Sequence, residues 1–225
     1  MVIACLYVDN ILIMSNDIAN INATKRMLTS KFDMKDLRVA NLILGIKILQ
    51  TPQGLALSQS HYIKMNLEKF KYLDFNEVKT AIDLNHTLVK NKGQRESQLE
   101  YTLVLGRLIY IMNCTRPEIA CAISKISRYR RNTNQANWIA MKQVLGCLKY
   151  IQDYAMHYNN YPTSIEGHSD ANWLIGSTES KSTSGYIFTI SRGAVSWKLS
   201  KQTCIARSTM ESEFIALDKV GEEAE

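Results

Sequence analysis

The first sixteen residues, MVIACLYVDNILIMSN (1–16), contain two apolar runs that flank one polar pair. The runs extend from Val2 to Val8 and from Ile11 to Met14, and Asp9–Asn10 separates them. Their apolar character and the polar break predict two β-strands joined by a tight turn, because Asp and Asn tolerate the positive φ angles of short hairpin turns. The alternative is that Asp9 holds a metal ion where the strands meet. Since one carboxylate cannot hold two metal ions, that alternative requires further acids from elsewhere in the chain.

Residues 17–100 continue as an alternation of helix and hairpin signals. Apolar residues at helical spacing predict an amphipathic helix over about 17–32. The segment TPQG (51–54) lies between two apolar runs and supplies turn chemistry, which predicts a second hairpin. Another helix is predicted around 63–70, and the polar stretch 76–100 is predicted to be a surface linker.

In the second half of the chain, the spacing of apolar residues changes once, from a helical pattern to a strand pattern. From Tyr101 to about Tyr154 the pattern is helical, and Pro117 is well placed in a first helical turn, so three helices are predicted. From about Ser164, the runs IEGHSDANW, SGYIFTIS and AVSWKLS predict three strands, with a turn at Arg192–Gly193. A last helix is predicted to begin at Ser208 or Thr209. This order predicts an α+β fold.

Composition places the chain among globular proteins. Hydrophobic residues make up 46% of the sequence, enough for a packed core. The opening apolar stretch is too short to span a bilayer, and it lacks a basic leader and a cleavage site. The five cysteines are scattered without CxxC spacing, so we expect reduced thiols and neither a zinc site nor a disulfide framework. We therefore expect an intracellular protein, cytoplasmic or nuclear, that is not secreted and has no membrane partner.

The positive charge is concentrated in one section. The net charge is +6, and residues 101–160 hold eight Lys or Arg against two Asp or Glu. Tyrosines and a tryptophan are interleaved with these cations, and together they could neutralise phosphates and stack on bases. The equally weighted alternative is a helix bundle with a solvated basic face and a core of aromatic rings. The predicted nucleic-acid-binding residues are Arg107, Arg116, Lys125, Arg128, Arg130, Arg131, Lys142 and Lys149.

A second group of acids lies in the last sixty residues. Asp170 falls within a predicted strand, where an unpaired charge is costly. On a helical wheel, Glu211 and Glu213 lie about 200° apart. Glu213 shares its side with Ala216, Leu217 and Val220, so we predict that Glu213 faces inward and Glu211 faces solvent. A strand Asp and a helix Glu could share Mg²⁺ for phosphodiester hydrolysis, whereas the alternative is an ordinary polar first turn of a helix.

At this point the sequence resembles a known family. YVDNILI resembles the Tyr-Val-Asp-Asp box of reverse transcriptases. Eight further segments, in order along the chain, resemble copia-type retrotransposon polyproteins. These segments are FDMKDL, LILGIKI, LALSQSHYI, LGRLIYIMNCTRPEIACAISKISRY, HSDANW, STSGYIF, VSWKLSKQ and STMESEFIA.

The resemblance implies an assignment of domains and of site residues. Residues 1–90 would be the later half of a reverse-transcriptase palm, 91–160 a helical thumb and connection, and 164–225 a truncated ribonuclease H-like α/β domain. The implied cofactor is Mg²⁺, and the implied partners are an RNA template, an RNA/DNA hybrid and deoxynucleotides. The catalytic and metal-binding residues implied are Asp9, Asp170 and Glu213.

Departures from the family pattern lead us to expect an inactive fragment. Asn10 stands where the family box has its second aspartate, so the shape is kept but the charge is lost. An earlier palm aspartate and two later ribonuclease H acids are expected to be absent. Arg107 and Arg207 stand where the family usually has small residues. The alternative function is non-enzymatic, sequence-independent binding of nucleic acid.

Overall fold

The computed structural model describes residues 1–82, 88, 91, 93, 96–160, 164–172 and 181–224. It combines helices with antiparallel sheets, which confirms the predicted α+β class. The chain forms two compact units, Met1–Ile43 and Leu44–Glu225. The predicted domain limits near residues 90 and 160 stay predictions, and Lys90, Trp173 and Glu225 lie outside the described residues.

The first unit begins with the predicted hairpin. Strands β1 (Val2–Tyr7) and β2 (Asn10–Ser15) pair antiparallel, with Tyr7 opposite Asn10. The turn therefore consists of Val8 and Asp9, one residue earlier than predicted, and the positive φ of 49° falls on Val8. Helix α1 (Ile18–Thr29) and the two-residue strand β3 (Leu42–Ile43) follow. No residue of this unit is buried.

Helix α1 begins and ends at recognisable caps. The side chain of Asp17 accepts a hydrogen bond from the backbone N–H of Ala19, which satisfies one unpaired donor of the first turn. At the other end, the backbone N–H of Ser30 closes the last turn on the Arg26 carbonyl. The helix therefore stops three residues before the predicted limit.

The second unit opens with the hairpin predicted around TPQG. Strands β4 (Ile46–Thr51) and β5 (Gly54–Ser58) pair antiparallel, with Thr51 opposite Gly54. A strand that the sequence patterns did not predict, β6 (Met156–Asn159), pairs with the other edge of β5. Gly54 has a φ of +146°, and a Cβ atom there would lie 2.0 Å from the carbonyl oxygen of Tyr158. Only glycine permits this approach of β6 to β5.

The helical section confirms the prediction of a further helix followed by three helices. A single 3₁₀ turn at Pro117–Ile119 precedes the third of the four helices, in agreement with the position of the proline. The four helices are α2 (Ser60–Lys69), α3 (Gln98–Thr115), α4 (Ala120–Ser127) and α5 (Gln135–Tyr150).

Apolar side chains of these helices form the main core. Tyr101 and Trp138 meet edge to face within it, with ring centroids 5.3 Å apart. The side chains at the centre of the core are Ile63, Phe70, Tyr101, Val104, Leu105, Leu108, Ile111, Ile119, Ile123, Ile126, Met141, Val144, Leu145 and Leu148.

The predicted surface linker from residue 76 is exposed only in part: three of its residues pack partly against the core, and the last three, Gln98–Glu100, already belong to α3. Val78, Ala81 and Ile82 pack against the helical core. The backbone N–H of Val78 donates to the carbonyl of Gly146 in α5, at 3.4 Å. These apolar residues lie among polar ones without regular spacing, so the sequence pattern did not indicate their contacts with the core.

The last section contains the three predicted strands and the predicted helix. Strands β7 (Ile165–Asn172), β8 (Thr183–Ile190) and β9 (Gly193–Lys201) form an antiparallel sheet with β8 in the middle. The turn between β8 and β9 consists of Ser191 and Arg192, so Gly193 already belongs to the strand. Helix α6 (Thr209–Ala224) packs on β7 and β8. In the described part of the chain, no helix has the length and apolar character required to cross a bilayer.

Candidate nucleic-acid interface and acidic residues

Asp9 lies in the turn of the first hairpin. Its side chain is exposed, and Asn10 begins the next strand opposite Tyr7. Asp9 therefore belongs to the turn and Asn10 to the strand, and the Asp9 carboxylate is accessible to solvent. The metal-binding role of Asp9 stays a prediction.

Asp170 lies in β7, opposite Gly185 of β8. Side chains alternate along a strand, so Asp170 shares its face with His168, whereas Gly167 lies on the other face. A Cβ atom at Gly167 would contact Phe188 and Val220 of α6, so the face of Gly167 is the one covered by α6. Asp170 itself is exposed, and the expected cost of burying its charge does not arise.

The two glutamates in the first turns of α6 differ as the helical wheel predicts. Glu213 is half-buried and Glu211 is exposed. The carboxylate of Glu211 accepts a hydrogen bond from the backbone N–H of Arg207 at 2.7 Å, and its backbone N–H donates to Ser208 Oγ at 3.1 Å. Glu211 therefore caps the start of α6. Leu217, which was expected to face inward with Glu213, is instead exposed.

Gln202 is a residue that the sequence patterns did not single out. It is 1% exposed, and its amide Nε2 donates to Ser184 Oγ and to the carbonyl of Ser212, both at 2.8 Å. Since a carbonyl only accepts, the amide nitrogen must face Ser212, and Oε1 is left without a partner. Gln202 thus ties β8 to the first turn of α6, directly before Glu213.

The acids do not assemble into a complete set of metal ligands within the described residues. No group of three or more His, Cys, Asp or Glu side chains there lies where it could hold a metal ion. Asp9 supplies one carboxylate beside a neutral amide, and Asp170 and Glu213 supply one each. This donor set does not fit a fully ligated Mg²⁺ ion, which takes near-octahedral oxygen coordination.

Three of the predicted basic residues lie together on the surface. Arg128, Arg130 and Arg131 are exposed on the turn that follows α4. Lys125 and Lys142 are half-buried on α4 and α5. Such a cluster presents its charge to solvent, where a phosphate backbone could contact it.

Three other predicted basic residues are committed to contacts within the protein. Arg107 donates from Nη1 to Asn66 Oδ1 at 2.5 Å, and its guanidinium lies 5.6 Å from the centre of the Phe70 ring. Lys149 Nζ lies 3.7 Å from Glu77 Oε1. The third is Arg116.

Arg116 is one of the predicted phosphate-binding residues, and that role stays a prediction, although the structure buries its side chain. The side chain is 1% exposed. Its Nη2 donates to the carbonyls of Ile151 and Tyr154, at 3.3 and 2.7 Å, so it closes the end of α5. Burial lowers the pKa of Arg116 and raises that of Glu118, whose Oε1 lies 3.7 Å from Arg116 Nε. The arginine therefore stabilises the segment that ends α5.

Comparison with known proteins agrees with the resemblance of this sequence to copia-type polyproteins. The family model described as reverse transcriptase (RNA-dependent DNA polymerase) matches residues 1–83. The Pol polyprotein of transposon TNT 1-94 from Nicotiana tabacum is 36% identical over 99% of this chain. The chain belongs to the copia-type retrotransposon Pol family. The Pol polyprotein of transposon RE2 from Arabidopsis thaliana is also similar, at 31% identity over 93% of the copia-type chain.

The copia-type chain spans a small part of these relatives. It covers 17% of the tobacco polyprotein and 14% of the RE2 polyprotein. An uncharacterized mitochondrial protein of Arabidopsis thaliana is 27% identical over 94% of the chain, which covers 88% of that protein. No solved structure matches the chain.

Proposed function

We propose that this chain is a segment of an RNA-directed DNA polymerase with ribonuclease H, and that its helical section binds an RNA/DNA hybrid without sequence preference. In this proposal, residues 1–90 belong to the palm, 91–160 to the thumb and connection, and 164–225 to a ribonuclease H-like domain. The family match over 1–83 supports the first assignment. The helical core and the sheet with α6 are compatible with the other two. The proposed location is cytoplasmic or nuclear.

The observation that carries the binding proposal is the exposed cluster Arg128, Arg130 and Arg131. It lies in the section with eight basic and two acidic residues. Arginines at the surface replace counterions on phosphates, and the released ions drive binding that falls with salt. Arg116 is buried and lies outside the proposed cluster, and Lys125 and Lys142 lie on the adjoining helices.

Binding to a labelled RNA/DNA hybrid, measured by fluorescence anisotropy over a range of salt concentrations, tests the proposal. Changing Arg128, Arg130 and Arg131 to glutamine should weaken binding and reduce the salt slope by about 0.9 for each phosphate that the variant no longer neutralises. The matched control changes Lys31, Lys35 and Arg38, which are exposed in the first unit, to glutamine. Both variants remove three charges. Equal weakening in both variants, or binding that is indifferent to salt, would refute a localised interface.

We also propose that the chain does not polymerise DNA by itself. Two-metal catalysis requires carboxylates that converge on both ions. Asn10 is neutral where the family box is acidic, and the described acids form no group of three. Asp9, Asp170 and Glu213 are the residues that would contribute to Mg²⁺ binding in the complete enzyme. Primer extension on poly(rA) with Mg²⁺ or Mn²⁺ should give no product, and clear extension would contradict this part of the proposal.

A further inference from the structure

Strand β6 contacts two parts of the second unit at once. The backbone N–H of Asn160, directly after β6, donates to the carbonyl of Gln53 in the hairpin of β4 and β5, at 2.9 Å. The N–H of the preceding residue, Asn159, donates to the carbonyl of Ser191 in the turn between β8 and β9, at 3.0 Å. Neighbouring N–H groups of β6 and the residue after it therefore tie that hairpin to the last sheet, which consists of β7, β8 and β9.

Tyr158 of β6 makes a second contact with the β8–β9 hairpin. Its hydroxyl donates to the carbonyl of Ala194 at 2.6 Å, and its ring lies on Gly193. A Cβ atom at Gly193 would lie 2.4 Å from the Tyr158 ring and 2.8 Å from the carbonyl oxygen of His157. Only glycine permits β6 to lie so close to the first residue of β9. Gly193 and Ser191 are both buried at this contact.

The chain that leads into β6 is fixed to the helices. Buried Arg116, which directly follows α3, donates from Nη2 to the carbonyl of Tyr154, two residues before β6 begins at Met156. Helix α4 also contacts β9. The last sheet is therefore held against the helical section by backbone and side-chain contacts as well as by the connecting chain.

We propose that β6 couples the helical section to the last sheet, so that the four helices and the sheet with α6 unfold as one cooperative unit. The change from a helical to a strand pattern near Ser164 predicts a domain boundary, and domains joined only by a linker would unfold independently. The contacts of Asn159 and Tyr158 oppose this, because unfolding of the last sheet would remove their hydrogen-bond partners and the surface on which the Tyr158 ring packs. The coupling concerns the fold, and it does not depend on nucleic-acid binding or on catalysis.

Hydrogen exchange of the full chain, followed by mass spectrometry at increasing urea concentration, tests the coupling. In one sample, peptides from α3 and α5 report on the helical section, and peptides from β8 and β9 report on the last sheet. Phe188→Leu weakens the last sheet under α6, because Phe188 is 9% exposed and packs beside Gly167 and Val220. This change should lower the urea midpoints of both sets of peptides by the same amount, since a single transition exposes both regions.

Gly193→Ala should remove the coupling, because the added Cβ atom displaces Tyr158. In the Gly193→Ala chain, Phe188→Leu should lower the midpoint of the β8 and β9 peptides alone. The matched control is Gly185→Ala in β8, where the nearest atom to a Cβ would be Leu199 Cδ1, the end of a flexible side chain, at 3.0 Å. The common response to Phe188→Leu should persist in that control.

Two results would overturn the proposal. The first is that Phe188→Leu, made in the otherwise wild-type chain, lowers the midpoint of the β8 and β9 peptides and leaves that of the α3 and α5 peptides unchanged. The second is that the common response to Phe188→Leu survives Gly193→Ala, which would show that β6 is not the coupling element.

Discussion

The first unit and the helical section of the second unit are both built from apolar segments, yet only one of them has a core. Helix α1 has no buried residue, whereas α5 buries eight of its sixteen. Leu6 in β1 is 73% exposed, and Leu108 in α3 is 1% exposed. An apolar sequence therefore indicates a tendency to be buried, and the neighbouring elements decide whether burial is achieved.

This difference indicates which region contributes most of the stability of the chain. Isolated helices of about a dozen residues and single hairpins are marginal in water, because tertiary packing supplies most of their stability. The first unit consists mainly of one such helix and one such hairpin. The helical section joins side chains from four helices and from the segment around Val78. Substitutions of equal chemistry should therefore have unequal effects in the two regions.

The largest contrast is expected between two arginines. Replacing Arg116 with alanine should destabilise the chain by about 3–5 kcal/mol, because carbonyls at the end of α5 and the Glu118 carboxylate lose a buried partner. Replacing Arg26, which is exposed in α1, should change stability by less than about 0.5 kcal/mol. Urea unfolding followed by circular dichroism measures both. Equal effects would remove the contrast between the regions.

The leucines give the next contrast. Leu108→Ala should cost about 2–5 kcal/mol because it leaves a cavity among the helices. Leu6→Ala removes the same atoms from an exposed strand and should cost less than about 0.5 kcal/mol. Thermal unfolding of the two variants beside the wild type compares them. A large loss of stability in the Leu6→Ala variant would show that β1 is buried in solution.

Two glycines sharpen the contrast within the helices. A Cβ atom on Gly146 would lie 2.1 Å from the carbonyl oxygen of Asn76, so Gly146→Ala should destabilise by about 1–3 kcal/mol. At Gly106 a Cβ atom would meet nothing within 4 Å, and Gly106→Ala should stabilise α3 by about 0.5–1 kcal/mol. Urea midpoints moving in opposite directions would support the close packing of residue 76 on α5. A neutral Gly146→Ala would contradict that packing.

The smallest effect concerns pH. Burial raises the pKa of Glu118 above its ordinary value of 4.5, although Arg116 lowers it in part. A raised folded-state pKa means that the folded chain binds the proton more tightly, so this contribution is present at low pH and is lost as pH rises through the folded pKa. The melting temperature of wild type minus that of Glu118→Gln should therefore fall as pH is raised from below 4.5. A difference that is constant over this range would contradict the assignment.

Local signals predicted much of the fold, and non-local contacts explain what they missed. Pro52 and Gly54 placed one hairpin, and Pro117 placed the start of a helix, because these residues act on their own backbone. Strand β6 has only four residues and depends on its partner β5, about one hundred residues earlier. The burial of Arg116 is likewise non-local, since its acceptors lie beyond α5.

The candidate site was predicted unevenly for the same reason. The helical wheel separated Glu213 from Glu211, since both lie on one element. The charge count found Arg128, Arg130 and Arg131 but could not distinguish them from Arg116, because a count carries no information on burial. Gln202 escaped notice since its partners come from β8 and α6. The catalytic roles of Asp9 and Asp170 stay predictions.

The pairing of β6 with β5 has a consequence for how the chain folds. Ninety-seven residues separate Ser58 from Met156, and closing so large a loop is costly in entropy before its contacts form. Helices form from local contacts within microseconds, whereas pairings between distant strands come later. The helical section is therefore expected to condense first and to bring the two strands into register. The folded helices would then hold β5, which precedes them, and β6, which follows them, close enough to pair.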